Sequence, residues 1–253
     1  MTATAARRWA GSQEGRGIPA EILAQAETTP WRHDVDRFVA PDVAQDTPSR
    51  AAALDLLGAG GSVLDVGCGG GAAGLALSAA ATHVTGTDRQ PDMLEAFAAT
   101  AAARGVPHRT VLGSWPGAAA SAGRADVVVC HHVLHNVVDL PPFVEALTAA
   151  AVRGVVVEMS TQHPMAWLDP LWLRFHGLRR PPSATSADAV AVLAELGIGA
   201  AVTEWERRRS FRQDVDWITR QLCLPAGRAG EVEAALAELP PRPSTVATLT
   251  WRR

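Results

Sequence analysis

The stretch SVLDVGCGGGAAGLAL, Ser62 to Leu77, decides the reading of this chain. Val63 to Val66 is a short apolar run of the kind that suits a buried strand. Gly67, Cys68, Gly69, Gly70 and Gly71 follow as a turn with almost no side chains, and Ala72 to Ala80 reads as a helix. A strand, a glycine turn and a helix N-terminus cradle a nucleotide-like ligand, because bare backbone takes tight dihedrals and lets a ligand approach closely.

Outward from this stretch, strand and helix patterns alternate over about 100 residues, which calls for a parallel, doubly wound sheet. On the C-terminal side, His83 to Thr87 is a second strand closed by Asp88, and Pro91 to Ala103 a helix with Met93, Leu94 and Phe97 on one face. Arg109 to Leu112 is a short third strand and Gly113 to Gly117 a loop. Asp126 to Cys130 is continuous and apolar, hence central. A helix over Pro141 to Ala151 and a fifth strand over Gly154 to Glu158 complete the alternation. On the N-terminal side, Thr47-Pro48-Ser49 reads as a cap on a helix over Arg50 to Leu57. Pro19 to Gln25 is a short helix, and Met1 to Ser12 is expected to be flexible.

Beyond Met159 the rhythm changes. His163 to Pro182 carries Trp167, Trp172, Phe175 and His176 between prolines and reads as an inserted lid, its aromatics either lining an acceptor pocket or packing as an extra helix on the core. Ser186 to Leu196 is a helix capped at Thr185 or Ser186. Ala201 to Arg207 is a strand, Asp214 to Leu222 and Ala229 to Leu239 are helices, and Val246 to Trp251 is an alternating last strand. The expected organisation is a cap segment over residues 1–47 and a main domain over 48–253, with the lid inserted at about 160–185.

Composition narrows the chemistry. A net charge of -3, with no basic run longer than Arg207 to Arg209, argues against a nucleic-acid partner. The chain has neither lysine nor tyrosine, which excludes a lysine Schiff base, a phosphate-binding P-loop lysine and a Tyr/Lys dehydrogenase pair. Cys68, Cys130 and Cys223 are too few and too widely spaced for a disulfide framework or a zinc site, so no metal is expected. With no signal-peptide pattern and no membrane span, the expectation is a cytoplasmic protein, with a homodimer left open.

Asp65-x-Gly67-x-Gly69-x-Gly71, followed by an acid at the end of the next strand, resembles motif I of the class I S-adenosylmethionine-dependent methyltransferases. ADVVVCHHVLHNV, Ala125 to Val137, resembles the fourth-strand motif of that family, especially its small-molecule branch. The resemblance covers Arg50 to Glu158 and implies a Rossmann-like, seven-stranded, mostly parallel α/β sheet with S-adenosylmethionine as cofactor. It places Asp65, Gly67 and Gly69 under the methionine part, Asp88 on the ribose hydroxyls, and Arg89 and Met93 beside the adenine. The slot that usually carries an acid near the adenine amine reads Gly113-Ser114-Trp115, leaving Ser114, Trp115 or a backbone group for that contact. Cys130 and His131 match the position whose backbone meets the amino-acid end of the cofactor.

Asp88 lies about 20 residues past the glycines, the separation that ribose recognition requires, although it could instead cap the helix at Pro91. Gly67-x-Gly69-x-x-Ala72 also satisfies a dinucleotide fingerprint. Asp65, the missing Tyr/Lys pair and the alternating last strand favour the methyltransferase reading over a nicotinamide-dependent oxidoreductase; a cofactor-binding protein without turnover is the third reading. Asp139 to Phe143 resembles the Asp-Pro-Pro-Tyr/Phe motif of nucleobase-amine methylation, but it does not directly follow the fourth strand.

Displacement at a sulfonium needs alignment, exclusion of water and, for a hydroxyl or amine, a proton acceptor. His131, His132 and His163 stand at the carboxyl edge of the sheet as catalytic candidates, His132 and His163 foremost. His135, Trp31, Trp167 and Trp172 are candidate walls of the acceptor site. The expected acceptor is small and partly apolar, methylated preferentially at oxygen.

Overall fold

A computed structural model describes residues 4–30, 35, 39–41, 44–207 and 214–253. Seven strands form one sheet in the order β3-β2-β1-β4-β5-β7-β6. They are β1 (Gly61–Val66), β2 (Ala81–Asp88), β3 (His108–Leu112), β4 (Ala125–His131), β5 (Ala151–Ser160), β6 (Ala201–Glu206) and β7 (Thr245–Arg252). The first five run parallel, and β7 lies antiparallel between β5 and β6. The sheet is therefore the mostly parallel, doubly wound α/β sheet that the alternating pattern predicts, with β4 at its centre.

The period-two geometry of the central strands explains their unbroken apolar sequences. Leu64, Val66, Val128, Cys130, Val155 and Val157 enter one core layer. There they meet α1 (Ala5–Glu14), α6 (Leu140–Ala150) and α8 (Ser186–Glu195). Val63, Val127, Val129 and Val156 enter the other layer, against α3 (Pro48–Leu57) and α4 (Pro91–Ala103). The predicted caps form: Thr47 Oγ1 accepts from Arg50 N–H at 3.1 Å, and Thr185 with Asp188 makes a capping box.

Three expectations are corrected. Ala72 to Ala80 is not a helix: a single 3-10 turn, Gly74–Leu77, is all that separates the glycines from β2. Gly74 is itself pinned, because its N–H donates to Asp65 Oδ2 at 2.7 Å. A Cβ at that residue would lie 2.8 Å from the same oxygen and 2.9 Å from Val84 Cγ1. From Thr4 onward the N-terminal segment is ordered rather than flexible: α1 is capped by Thr4 and buries Trp9 completely. The segment that reads as a lid is not a free-standing cover either. Its α7 (Asp169–His176) packs with the short α2 (Ala20–Leu23), α9 (Val215–Gln221) and α10 (Ala229–Ala237), forming a third apolar cluster around Leu168, Trp172, Ile218, Leu222 and Val232. One short helix, α5 (Ala119–Ala122), completes the inventory of described helices.

Candidate cofactor and acceptor site

The strand order reverses between β1 and β4, and the carboxyl ends at such a point form the ligand crevice of open α/β sheets. Here the glycine turn hooks over the end of β2: Gly67 and Cys68 both donate to Thr87 O, at 2.8 and 2.9 Å. Gly67 and Gly69 have φ of 70° and 51°, in the left-handed region that favours glycine. A Cβ on Gly67 would meet Val133 Cγ2 at 2.4 Å, so the loop after β4 closes on the turn as tightly as bare backbone allows. Gly70 and Gly71 are buried, bridged by Val39 from the N-terminal segment, while Gly67 and Gly69 keep a partly open face.

Asp88 ends β2 with a half-buried side chain. Its Oδ2 accepts from Gly69 N–H and its Oδ1 from Gln90 N–H, each at 3.0 Å. One backbone bond per oxygen leaves acceptor capacity on both, as a pair of ribose hydroxyls needs. Asp88 does not cap α4, whose N-cap is Gln90. Asp65 is placed differently from the expectation. It has no exposed surface, and it braces the turn through Gly74 rather than facing the crevice. Burial pushes its carboxyl up to about 7, against the opposing Gly74 N–H and with help from the charge of Asp88.

A cleft of about 880 Å³ opens along this edge. Arg89, Gln90, Pro91, Asp92 and Glu95 make one wall, beside Asp88. Gln13, Arg16, Gly17, His135, Asn136 and His163 make the other. Met93, expected beside the adenine, is instead 97% buried, at 3% relative exposure. Ser114 is exposed and Trp115 half-buried, its indole donating to Phe143 O at 3.2 Å. Neither Ser114 nor Trp115 lines the cleft. Cys130 is fully buried on β4, so its side chain is core. Trp172 is also core, in the third cluster with Arg180 over its ring, and does not wall the cleft. Trp167 faces a much smaller recess with Arg242 and Thr245. Trp31 lies outside the described residues.

The four edge histidines are sorted by their hydrogen bonds. His163 Nδ1 accepts from Met165 N–H at 3.1 Å, so the proton of the neutral ring sits on Nε2. His135 Nε2 donates to Ser160 O at 2.8 Å, which leaves Nδ1 as the acceptor. The His135 ring stacks on Trp9 and meets His163 edge-on. His132 has a left-handed backbone (φ 59°), a sparsely used region that surrounding bonds must enforce. Both of those bonds run to Glu158, from the main-chain N–H to its carbonyl at 2.6 Å and from Nε2 to Oε1 at 2.8 Å. Arg207 Nη2 donates to the same Oε1 at 2.7 Å and is also hydrogen-bonded with His132 Nε2, so that nitrogen is shared between Glu158 and Arg207. His131 Nδ1 is 3.8 Å from Glu158 Oε2, too long for a hydrogen bond.

Burial and cationic neighbours keep these rings neutral. Burial pushes His131 and His135 down to about 4 and His163 to about 3, and lowers His132 as well. Burial works against the charge on Glu158, yet the His132 bond, the two histidines and Ser49 together hold its carboxyl well below the usual range. Among the described residues no group of His, Cys, Asp and Glu is arranged to hold a metal.

Sequence reading missed Gln13, Arg16 and Asn136. Trp9, four residues after Ala5 and behind a Thr cap, was the available signal that α1 exists; the docking of α1 on the cleft had no local signal. Arg16 is bidentate to Asp169 (2.7 and 2.9 Å) and donates to Pro181 O, tying α1 to the segment around α7.

The glycine turn, its carboxylate and the antiparallel last strand have the arrangement that the resemblance to class I S-adenosylmethionine-dependent methyltransferases implies. Residues 63–153 match the model of the methyltransferase domain family. A ubiquinone biosynthesis O-methyltransferase of Methylobacterium nodulans is 38% identical over 108 residues, 42% of this chain and 41% of that protein. A second, from another Methylobacterium strain, is 32% identical over 114 residues, 44% and 46% of the two chains. The chain thus spans less than half the length of these curated relatives. Among solved structures, the YcgJ protein of Bacillus subtilis superposes with a TM-score of 0.57 at 18% identity, over 81% of this chain and 97% of that one. A magnesium protoporphyrin IX methyltransferase from Synechocystis, with bound S-adenosylhomocysteine, gives 0.52 at 18% over 77% and 74%. These similarities speak for the fold.

Proposed function

We propose that the chain transfers a methyl group from S-adenosylmethionine to a small organic acceptor, at oxygen. The observation that carries this reading is Asp88, turned onto the glycine bend with acceptor capacity left on both oxygens beside an 880 Å³ cleft. When bound, the cofactor supplies a methyl group on a sulfonium, activated for in-line displacement. Gly67 and Gly69 offer the open backbone for its amino-acid part, and Asp88 the sugar contact, with Arg89 at the adenine side. The cleft walls align the acceptor and exclude water. His132, at the carboxyl end of β4 beside rather than in the cleft lining, is the favoured proton acceptor: burial keeps its ring neutral, and Glu158 and Arg207 hold its Nε2. His163 is disfavoured in that role, because Met165 N–H already occupies its acceptor nitrogen. The curated relatives named as O-methyltransferases support oxygen over nitrogen or carbon.

The oxidoreductase alternative is weakened by the four-residue 3-10 turn after the glycines, since a dinucleotide pyrophosphate rests on a helix N-terminus there. Calorimetric titration separates the two. S-adenosylhomocysteine should bind and NADH should not, and Asp88→Ala should weaken the former at least ~100-fold, the loss of two charge-assisted hydrogen bonds at about 1.5–3 kcal/mol each. Tight NADH binding, or an unaffected Asp88→Ala variant, defeats the proposal.

A further inference from the structure

The cleft wall opposite Asp88 holds three buried polar atoms without a hydrogen-bond partner: Gln13 Nε2, Arg16 Nε and His135 Nδ1. All three residues line the cleft. Arg16 and His135 keep only 7% and 4% of their surface. None of the atoms is open to water, so each carries the cost of an unmade buried hydrogen bond, about 1–3 kcal/mol. Such groups in a folded protein call for an occupant or a role.

Their chemistry is specific. Arg16 spends three of its five N–H donors on Asp169 and Pro181 O, and its Nε–H is the buried one left without a partner. The Gln13 amide adds a second N–H. The His135 tautomer, set by Ser160 O, makes Nδ1 a pure acceptor. On this wall itself Arg16 and Arg180 stand against Asp169, while the carboxylates of Asp92 and Glu95 belong to the wall facing it. His163 and Arg180 are both depressed by burial first and then by neighbours that include Arg16.

Two unpartnered donors and one unpartnered acceptor, on residues lining the same cleft, match an anionic oxygen group adjoining a hydroxyl. We infer that this wall is a subsite for a hydroxylated carboxylate. The carboxylate takes the Arg16 and Gln13 N–H groups, and the hydroxyl donates to His135 Nδ1. The identity of this ligand as the methyl acceptor rests on the reading above; the subsite itself does not need turnover.

The test is calorimetric or NMR titration of the full chain, with and without saturating S-adenosylhomocysteine, using 2-hydroxybenzoate as probe and benzoate and phenol as controls. The expectation is that 2-hydroxybenzoate binds at least ten-fold tighter than phenol and several-fold tighter than benzoate. His135→Gln keeps the donor to Ser160 O and removes the Nδ1 acceptor; it should bring 2-hydroxybenzoate down to the benzoate level. Gln13→Leu should weaken both carboxylates about five-fold. Both variants should bind S-adenosylhomocysteine within two-fold of the parent, which reports an intact fold and cofactor site. A probe that binds no tighter than phenol, or variants that leave the ranking unchanged, overturns the subsite. Absence of S-adenosylhomocysteine binding with the ranking preserved overturns the methyl-transfer reading and leaves the subsite standing.

Discussion

Mild acid should destabilise this protein, through its buried histidines. A histidine whose folded pKa lies below its ordinary value of 6.5 binds protons more readily unfolded, so stability falls as pH drops from that value toward the folded one. His131 and His135 are pushed to about 4 and His163 to about 3. Between pH 7 and pH 5 each therefore costs about 2 kcal/mol, or roughly 5–6 kcal/mol for the three. Asp65 acts in the opposite sense. Its carboxyl is raised from 3.8 to about 7, so the folded state gains its proton first; over the same interval that returns about 2 kcal/mol. Glu158 is depressed, and its contribution is lost only below its ordinary 4.5, outside this window. The histidines win, and the net loss is about 3 kcal/mol, or a fall in Tm of roughly 6–12 °C for a chain of this size. Urea unfolding followed by circular dichroism at pH 7, 6 and 5 measures it. Two variants isolate the opposing contributions: His135→Gln should shrink the loss by about 2 kcal/mol, and Asp65→Asn, which keeps an oxygen for Gly74 N–H, should enlarge it by about as much. A stability that is flat or rises on acidification, or a His135→Gln variant with the parent's pH dependence, refutes the reasoning.

Other outcomes follow from the packing. Gly67→Ala places a methyl against Val133 Cγ2 at a residue with φ 70°; strain and overpacking should cost about 3 kcal/mol in urea unfolding and abolish S-adenosylhomocysteine binding. Arg16→Met strips the partner from Asp169, which is 27% exposed on its side chain. It should cost about 2 kcal/mol, most of it recovered in the double variant with Asp169→Leu, as a double-mutant cycle would record. Cys68, Cys130 and Cys223 are free, buried and raised above the ordinary thiol range by burial. The native protein should show no reactive thiol toward Ellman's reagent at pH 8, and three in guanidinium.

The local chemistry of the site is written in consecutive residues. Val63 to Val66, the glycines after them and Asp88 one β-α-β step later specify a strand, a bare turn and a carboxylate, because each depends on dihedral freedom and period-two alternation within a few residues. The same alternation marks the parallel, doubly wound part of the sheet, while its count of seven strands is what the family resemblance implies. What the sequence could not show is distance between remote segments. The helix expected after Gly71 shrinks to one 3-10 turn because β2 begins at Ala81, ahead of its apolar run. Met93 and Trp172 read as ligand walls, yet tertiary packing buries both in the folded interior. Arg16, with no motif around it, reaches the cleft because α1 docks on α8 and its guanidinium closes on Asp169, 153 residues away. The roles of the histidines in HHVLH were also undecided: Ser160 O selects the tautomer of His135, and Glu158 and Arg207 hold His132, all from β5 or beyond. Hydrogen-bond partners supplied from across the fold carry no trace in the neighbouring sequence, and that is where sequence reasoning stops.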